Sequence, residues 1–195
     1  MNSTTLLTYL IACVFIICAP GPSVTFLITT SVEQGKNSAY RIIPGTFLGD
    51  LSAMILSFIG VGALIHSVPS FEIVLKYVGG ALLIYLGALK IYQRNKANKE
   101  KNKLFLSGFL LTFFNPKTII FFASFIPQFV NKNENIALQF FILGTLYLVV
   151  GLINDFTYAT FAHYLGKLLG QKISRMAIIF GGGFLILSGI LIVLK

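Results

Sequence analysis

What this chain of 195 residues lacks is charge. Only 11% of its residues are charged and six are acidic, whereas an ordinary soluble domain carries about 25% charge. Its two histidines, His66 and His163, lie far apart in sequence, so no metal-ligand spacing is present and no cofactor is expected. Its two cysteines, Cys13 and Cys18, lie five apart in one apolar run. They read as small buried hydrophobes rather than as a disulfide or a metal site. There is no nucleophile elbow and no phosphate-cradling glycine loop. Nor is any stretch long and polar enough for a separate soluble domain, which leaves no place for an enzymatic head domain or a nucleic-acid module.

What is present is hydrophobic sequence in long runs: 56% of residues are hydrophobic and the mean hydropathy is +0.85. Six runs are readable, at roughly 4–32, 41–66, 70–92, 104–130, 136–163 and 173–194, most of them beyond the ~20 residues that span a bilayer. The expectation is an all-α integral membrane protein, one transmembrane domain over residues 1–195, with lipid as its surroundings.

The net charge of +9 reports topology. The linker after the third run holds Lys90, Arg94, Lys96, Lys99, Lys101 and Lys103. Placing it in the cytoplasm brings Lys36, Arg41, Lys167, Lys172 and Arg175 to the same side, 11 of the 15 basic residues. Both termini are then external. A cleaved signal is the competitor for the first run, and Leu10–Cys13 (LIAC) has the look of a lipoprotein box. No Lys or Arg precedes Lys36, so the positive n-region that a signal needs is missing.

The first run is interrupted by CAPGPS, Cys18–Ser23, and the fourth by FNPK, Phe114–Lys117. Each proline lacks an N–H and clashes with the preceding turn. Lipid cannot satisfy the freed backbone groups, so such a break survives only where protein or water covers it. With Pro22 as first residue of a new helix, the N–H groups of Ser23, Val24 and Thr25 point free and, with the helix dipole, favour an anion. Pro116 opens a second helix in the same way, with Lys117 and Thr118 at its mouth.

The two breaks belong to an internal repeat. VGGALLIYLGAL from Val78 matches FGGGFLILSGIL from Phe180 at an offset of 102, GTFLG from Gly45 matches GTLYL from Gly144 at 99, and APGPS matches FNPKT near 95. Two halves, about 1–95 and 104–195, then hold three helices each, an odd number, so the second enters the bilayer inverted. Secondary transporters use such 3+3 inverted repeats and bind substrate where paired helices are broken at mid-depth.

Asp50, Lys117 and Asp155 lie inside these runs, where a charge costs about 2.5–3.5 kcal/mol on insertion scales and faces a cavity or partner. Both acids sit roughly 12–14 Å inside, at 1.5 Å per residue from the cytoplasmic ends of their helices. The 99-residue offset pairs Asp50 with Val149, so Asp155 breaks the repeat symmetry. Lys117 could neutralise one acid as a structural pair. The other is then left to exchange protons or to hold a substrate ammonium. An anion-accepting helix end and an ammonium-accepting acid together make a receptor for a zwitterion. Gly45 and Gly49 form a GxxxG read as close packing, with the first helix as its partner. Tyr147, Asn154 and Tyr158 could line the cavity, although packing is the plainer role for the tyrosines.

These residues resemble the LysE/RhtB amino-acid exporter family, over nearly the whole chain: APGP in the first run, GTFLGD in the second, YVGGALLIYLGALKIY in the third, FLLTFFNPKTIIFFASFIPQF in the fourth and Asp155 in the fifth. The resemblance implies six helices in the cytoplasmic membrane and efflux of amino acids or close derivatives against protons. It carries Pro20, Gly21, Pro22, Gly49, Asp50, Asn115, Pro116, Lys117 and Asp155 over as motif residues. The family's substrates include basic, hydroxylated and branched amino acids and lactones, and the Phe- and Ile-rich walls tilt the expectation toward a neutral one. Substrate contacts are expected at Pro20, Gly21, Pro22, Ser23, Asp50, Asn115, Pro116 and Lys117, and proton coupling at Asp155. The sequence leaves room for a homo-oligomer. The rival from another class is a membrane thiol-redox conduit of similar helical architecture, which needs a cysteine in each half.

Overall fold

In a computed structural model the chain is described over residues 2–19, 21–61, 69–92, 103–131 and 133–194, and these are helical with no strand among them. Residues 93–102 of the basic linker, His66, Pro20 and Lys132 lie outside the described residues. Helix α1 (Ser3–Cys18) ends at the first proline break, and α2 (Pro22–Gln34) restarts with Pro22 in its first turn. Gly35 ends α2 at φ 86°, a left-handed conformation that favours glycine, and its N–H returns to the Ser31 carbonyl. A short α3 (Lys36–Ala39) leads into α4 (Ile43–Leu56), which runs on as a π turn over Ser57–Val61. Helix α5 (Pro69–Tyr92) follows, then α6 (Leu104–Phe113), and α7 (Pro116–Ile120) continues through π and 3-10 turns to Phe129. Helix α8 is assigned from Ile136 to Leu194.

Helix α8 cannot be straight. Gly166 packs on Val32 and Gly181 on Thr29, three residues apart on α2, whereas 15 residues of straight helix would separate the two glycines by about 22 Å. The chain therefore folds back between them, at the place where the hydropathy pattern separates the fifth and sixth runs. By length and composition the segments Lys36–Gly60 and Ile136–Leu168 can each cross a membrane. Two bent pairs bring the number to four if each counts as one span: α1 with α2, bent by 55°, and α6 with Lys117–Phe129, bent by 49°. Both bends fall at the predicted proline breaks.

The distribution of polarity is that of a protein dissolved in lipid. Phe15 is 76% and Leu168 81% exposed, while Thr30 and Ser31 are fully buried. In water this would be inverted; in a bilayer polar groups must turn inward. One apolar cluster joins α1, the end of α4, α7 and the start of α8 around Tyr9, Phe121, Phe122 and Tyr147. Tyr9 is fully buried and its hydroxyl donates to the Leu143 carbonyl at 2.7 Å. A second cluster joins α2, α3, the start of α4, α5 and α6 around Leu27, Ile42 and Leu111. The polar breaks lie between the two.

Two seams bring backbones into contact through glycine. Gly45 and Gly49 of α4 face Phe105, Phe109 and Thr112 of α6, while Gly108 faces Ile42 and Thr46, so the helices run parallel. The close packing expected of this GxxxG is present, but its partner is α6 rather than the first helix. In the other seam α5 runs antiparallel to the end of α8: a Cβ on Gly87 would lie 2.6 Å from the Gly182 carbonyl oxygen and 2.8 Å from Ile186 Cγ1. A Cβ on Gly189 would lie 2.6 Å from the Gly80 oxygen and 2.8 Å from Ile84 Cγ1.

Candidate substrate site

At the first break, Gly21 precedes α2 in extended conformation and offers no side chain to cap it. Pro22 has no N–H to lose. The Thr25 N–H donates to the Gly21 carbonyl at 2.9 Å, so Thr25 is not among the free donors expected from sequence; it begins the helical ladder. The open first-turn donors reduce to the N–H groups of Ser23 and Val24, the second and third helical positions. The second break is capped differently. Asn115 Oδ1 accepts from the Lys117 N–H at 3.0 Å, and Pro116 stands in the first turn. Asn115 thus has a structural task in holding α7's start.

The carbonyls freed at the end of α1 have partners. Lys117 Nζ donates to the Ala19 carbonyl at 2.8 Å, and the Tyr158 hydroxyl donates to the Cys18 carbonyl at 2.9 Å. A cation at a helix C-terminus is favoured by the dipole as well as by the hydrogen bond. Lys117 therefore ties one broken helix to the other, instead of neutralising an acid at hydrogen-bond distance, though it stays within electrostatic reach of Asp50. Tyr158 likewise bonds rather than merely packs.

Between the breaks lies a cavity of about 50 Å³. Gly21, Ser23 and Val24 line it from α2, Thr46 and Asp50 from α4, and Asn115, Lys117 and Thr118 from the second break; Gly151, Asn154 and Asp155 close it from α8. Thr46 and Asp50 are one turn apart on α4, as Gly151 and Asp155 are on α8, and the helices cross antiparallel. Each acid therefore faces a small or hydroxylated residue. Asp155 Oδ2 accepts from the Thr46 hydroxyl at 2.7 Å, and Asp50 Oδ2 lies 4.0 Å from a Cβ built on Gly151. The Thr118 side chain stands beside Asp50, whose Oδ1 is buried and unpartnered. The Thr112 hydroxyl donates to Ser23 Oγ at 3.1 Å, linking α6 to α2.

Of the residues expected at a site, the structure thus gathers Gly21, Ser23, Asp50, Asn115, Lys117 and Asp155 around one cavity. Pro22 faces a smaller apolar recess beside Leu82 and Leu111 instead. Pro20 lies outside the described residues, as noted, and Pro116 is placed by its backbone alone.

The family model for LysE type translocators matches residues 14–195. This chain belongs to that family. A leucine efflux protein of Salmonella typhimurium is 32% identical over 176 residues, covering 82% of this chain and 81% of that protein. A leucine efflux protein of Klebsiella pneumoniae is 34% identical over 147 residues, 71% of this chain and 69% of the other. An uncharacterized membrane protein of Pseudomonas aeruginosa is 35% identical over 170 residues, 81% and 76% of the two chains. No solved structure matches.

The resemblance drawn from sequence motifs therefore holds, and this LysE type translocator is a membrane protein. The thiol-redox alternative is not favoured: Cys13 is buried, Cys18 is exposed, both are free, and both lie on α1. Sequence reasoning placed Thr118 at the mouth of the second helix, where it lines the cavity, and missed the hydroxyls of Thr46 and Thr112. A signal for Thr46 existed, since it lies four residues before Asp50 and hence on the same helical face. Nothing in sequence spacing singled out Thr112.

Proposed function

We propose that this LysE type translocator exports amino acids or close derivatives across the cytoplasmic membrane as a secondary transporter, by proton antiport, with neutral branched amino acids among its substrates. The observation that carries this reading is the meeting of Asp50 with the open first turn of α2 in one cavity. An acid with one unpartnered oxygen suits an ammonium, and free helix N–H groups suit a carboxylate. The naming of relatives as leucine efflux proteins supports the substrate class.

Six spans in a single 1–195 domain, arranged as a 3+3 inverted repeat, are the architecture we assign. Supporting it, the α5–α8 seam is two-fold in its contacts: residues 102 apart exchange places, Gly87 with Gly189, Ile84 with Ile186 and Gly80 with Gly182. A two-fold relation between antiparallel helices is what inversion requires. Asp155, bonded to Thr46, is the proton carrier in this reading and Asp50 the ammonium site.

The test is counterflow and proton-gradient-driven efflux in proteoliposomes for Asp50→Asn and Asp155→Asn. The carrier's amide should lose gradient-driven efflux yet keep exchange, which needs binding and isomerisation but no net proton movement. Asp50→Asn should lose both, because a neutral amide holds a cation far less strongly. Equal loss of both activities in both variants would refute the division of labour. Full retention in both would move the site elsewhere.

A further inference from the structure

Resting on the transport reading above, we infer that Asn154 is a substrate-carboxylate residue: its amide N–H₂ joins the first-turn N–H groups of α2 and fixes which way round a zwitterion sits. Among the described residues, the cavity holds two buried side-chain atoms with no hydrogen-bond partner, Asp50 Oδ1 and Asn154 Nδ2. One is an acceptor and the other a donor. A ligand that satisfies both carries a donor cation at one end and an acceptor anion at the other.

Register places the donor beside the helix end. Helix α2 runs parallel to α8: Ser31 Oγ donates to the Ala159 carbonyl, and Gly35 packs on His163. Ser23 and Val24 from α2 and Gly151 and Asn154 from α8 line the same cavity. Asn154 is also one turn before Tyr158, whose hydroxyl holds the Cys18 carbonyl at the break, so both face that break. The amide lies against the Asp155 carboxylate and interacts with it, yet Nδ2 makes no hydrogen bond of good geometry. With two N–H groups on that nitrogen, one turned toward Asp155 leaves the other open to a ligand. Asp50, against Gly151, stands across from Ser23. The carboxylate of a bound amino acid would meet Ser23 N–H, Val24 N–H and Asn154 Nδ2, while its ammonium meets Asp50.

The consequence is a preference for amino acids over the amines that lack their carboxylate, and Asn154 should carry a measurable share of it. The experiment uses the full chain in proteoliposomes, with labelled leucine counterflow and isopentylamine, the decarboxylated analogue, as competitor. A hydrogen bond to a charged group is worth about 1.5–3 kcal/mol. Asn154→Ala should therefore raise the leucine half-saturation by about 10- to 100-fold and leave isopentylamine inhibition unchanged. Asn154→Asp, nearly isosteric, removes the donor and adds a like charge, and should weaken leucine still more with isopentylamine again unaffected. Asp50→Asn should weaken both ligands. Unchanged leucine half-saturation in the two Asn154 variants, or equal weakening of leucine and isopentylamine, would overturn the assignment. Failure of the wild-type protein to move leucine or any other amino acid in a labelled panel would instead overturn the transport reading itself.

Discussion

The two-fold seam between α5 and the end of α8 makes a quantitative demand. If residues 102 apart are structural mates, substituting either mate must cost the same. A Cβ on Gly87 would meet the Gly182 oxygen at 2.6 Å, Ile186 Cγ1 at 2.8 Å and Ile186 N at 3.0 Å; on Gly189 it would meet the Gly80 oxygen at 2.6 Å, Ile84 Cγ1 at 2.8 Å and Ile84 N at 3.1 Å. Backbone atoms cannot step aside as a side-chain tip can, so the helices must part by roughly 0.5–1 Å to restore ordinary contact. Overpacking of this kind costs about 1–3 kcal/mol, against which alanine recovers about 0.5–1 kcal/mol of helix propensity. Gly87→Ala and Gly189→Ala should each lose about 1–2 kcal/mol and agree with each other within about 0.5 kcal/mol, the usual scatter between independent sites. Gly183→Ala is the control, since nothing lies within 4 Å of its Cβ and it sits on the same helix; it should be neutral or slightly stabilising. Equilibrium unfolding of the purified protein in detergent reads all three. A gap above about 1 kcal/mol between the mates, or no loss in either, would refute the two-fold seam and the inverted architecture built on it.

Three further outcomes follow from the breaks and the charge pattern. Pro22→Ala should reduce counterflow far more than folding, because a continuous helix is tolerated by the bilayer but takes the Ser23 and Val24 N–H groups into its own ladder; normal transport by a well-expressed variant would make the break a packing kink. Lys117→Met removes the donor to the Ala19 carbonyl. The charge-assisted bond is worth about 1.5–3 kcal/mol at most, and solvent reach toward Lys117 favours the lower end, so a fall in unfolding free energy is expected from Lys117→Met that Lys117→Arg largely avoids; equal stability of the three would show the tether to be idle. A single cysteine at Asn98, placed in a variant without Cys13 and Cys18, should resist labelling from outside intact cells while one at Asn2 reacts, and strong external labelling at position 98 would reverse the topology.

The parts legible in the sequence are those where a residue's chemistry conflicts with its surroundings. Proline has no N–H and a bilayer offers no substitute, so both breaks could be placed from CAPGPS and FNPK alone. Asp50 and Asp155 stood out by the cost of a charge in lipid, and the cavity indeed gathers them. What spacing cannot convey is which carbonyl a side chain finds. Lys117 next to two acids reads as an ion pair, yet its ammonium lies on the Ala19 carbonyl, because α1's end is the nearer unsatisfied group. The Gly45–Gly49 motif fixes close approach but not the partner, and the partner is α6. Threonines are silent for a different reason. Thr29 and Thr157 bond to carbonyls four residues back, as threonines in apolar helices do, and nothing in sequence separates them from Thr112, whose hydroxyl reaches another helix.

The size of the cavity decides what must move. About 50 Å³ holds a few water molecules, not an amino acid of leucine's bulk, so substrate entry requires the walls to separate. The glycine seams, α4 on α6 and α5 on the end of α8, press backbone on backbone along two turns or more and should travel as units. Around the cavity the ties are single side-chain hydrogen bonds: Thr112 to Ser23 at 3.1 Å and Thr46 to Asp155 at 2.7 Å, with Lys117 to the Ala19 carbonyl at 2.8 Å and Tyr158 to the Cys18 carbonyl at 2.9 Å at the first break. Each is worth about 0.5–1.5 kcal/mol, or up to about 3 where the acceptor is charged. Breaking the first two thus costs a few kcal/mol, within the range at which a minor conformation is populated to 0.1–10%. Ser23 and Asp155 belong to the same set of groups proposed to meet the substrate and the proton. A ligand that engaged them would replace these bonds, and its binding energy would then favour the open arrangement over this one. In the proposed reading, occupancy and opening would be coupled through the same few atoms, which is what alternating access needs from a site.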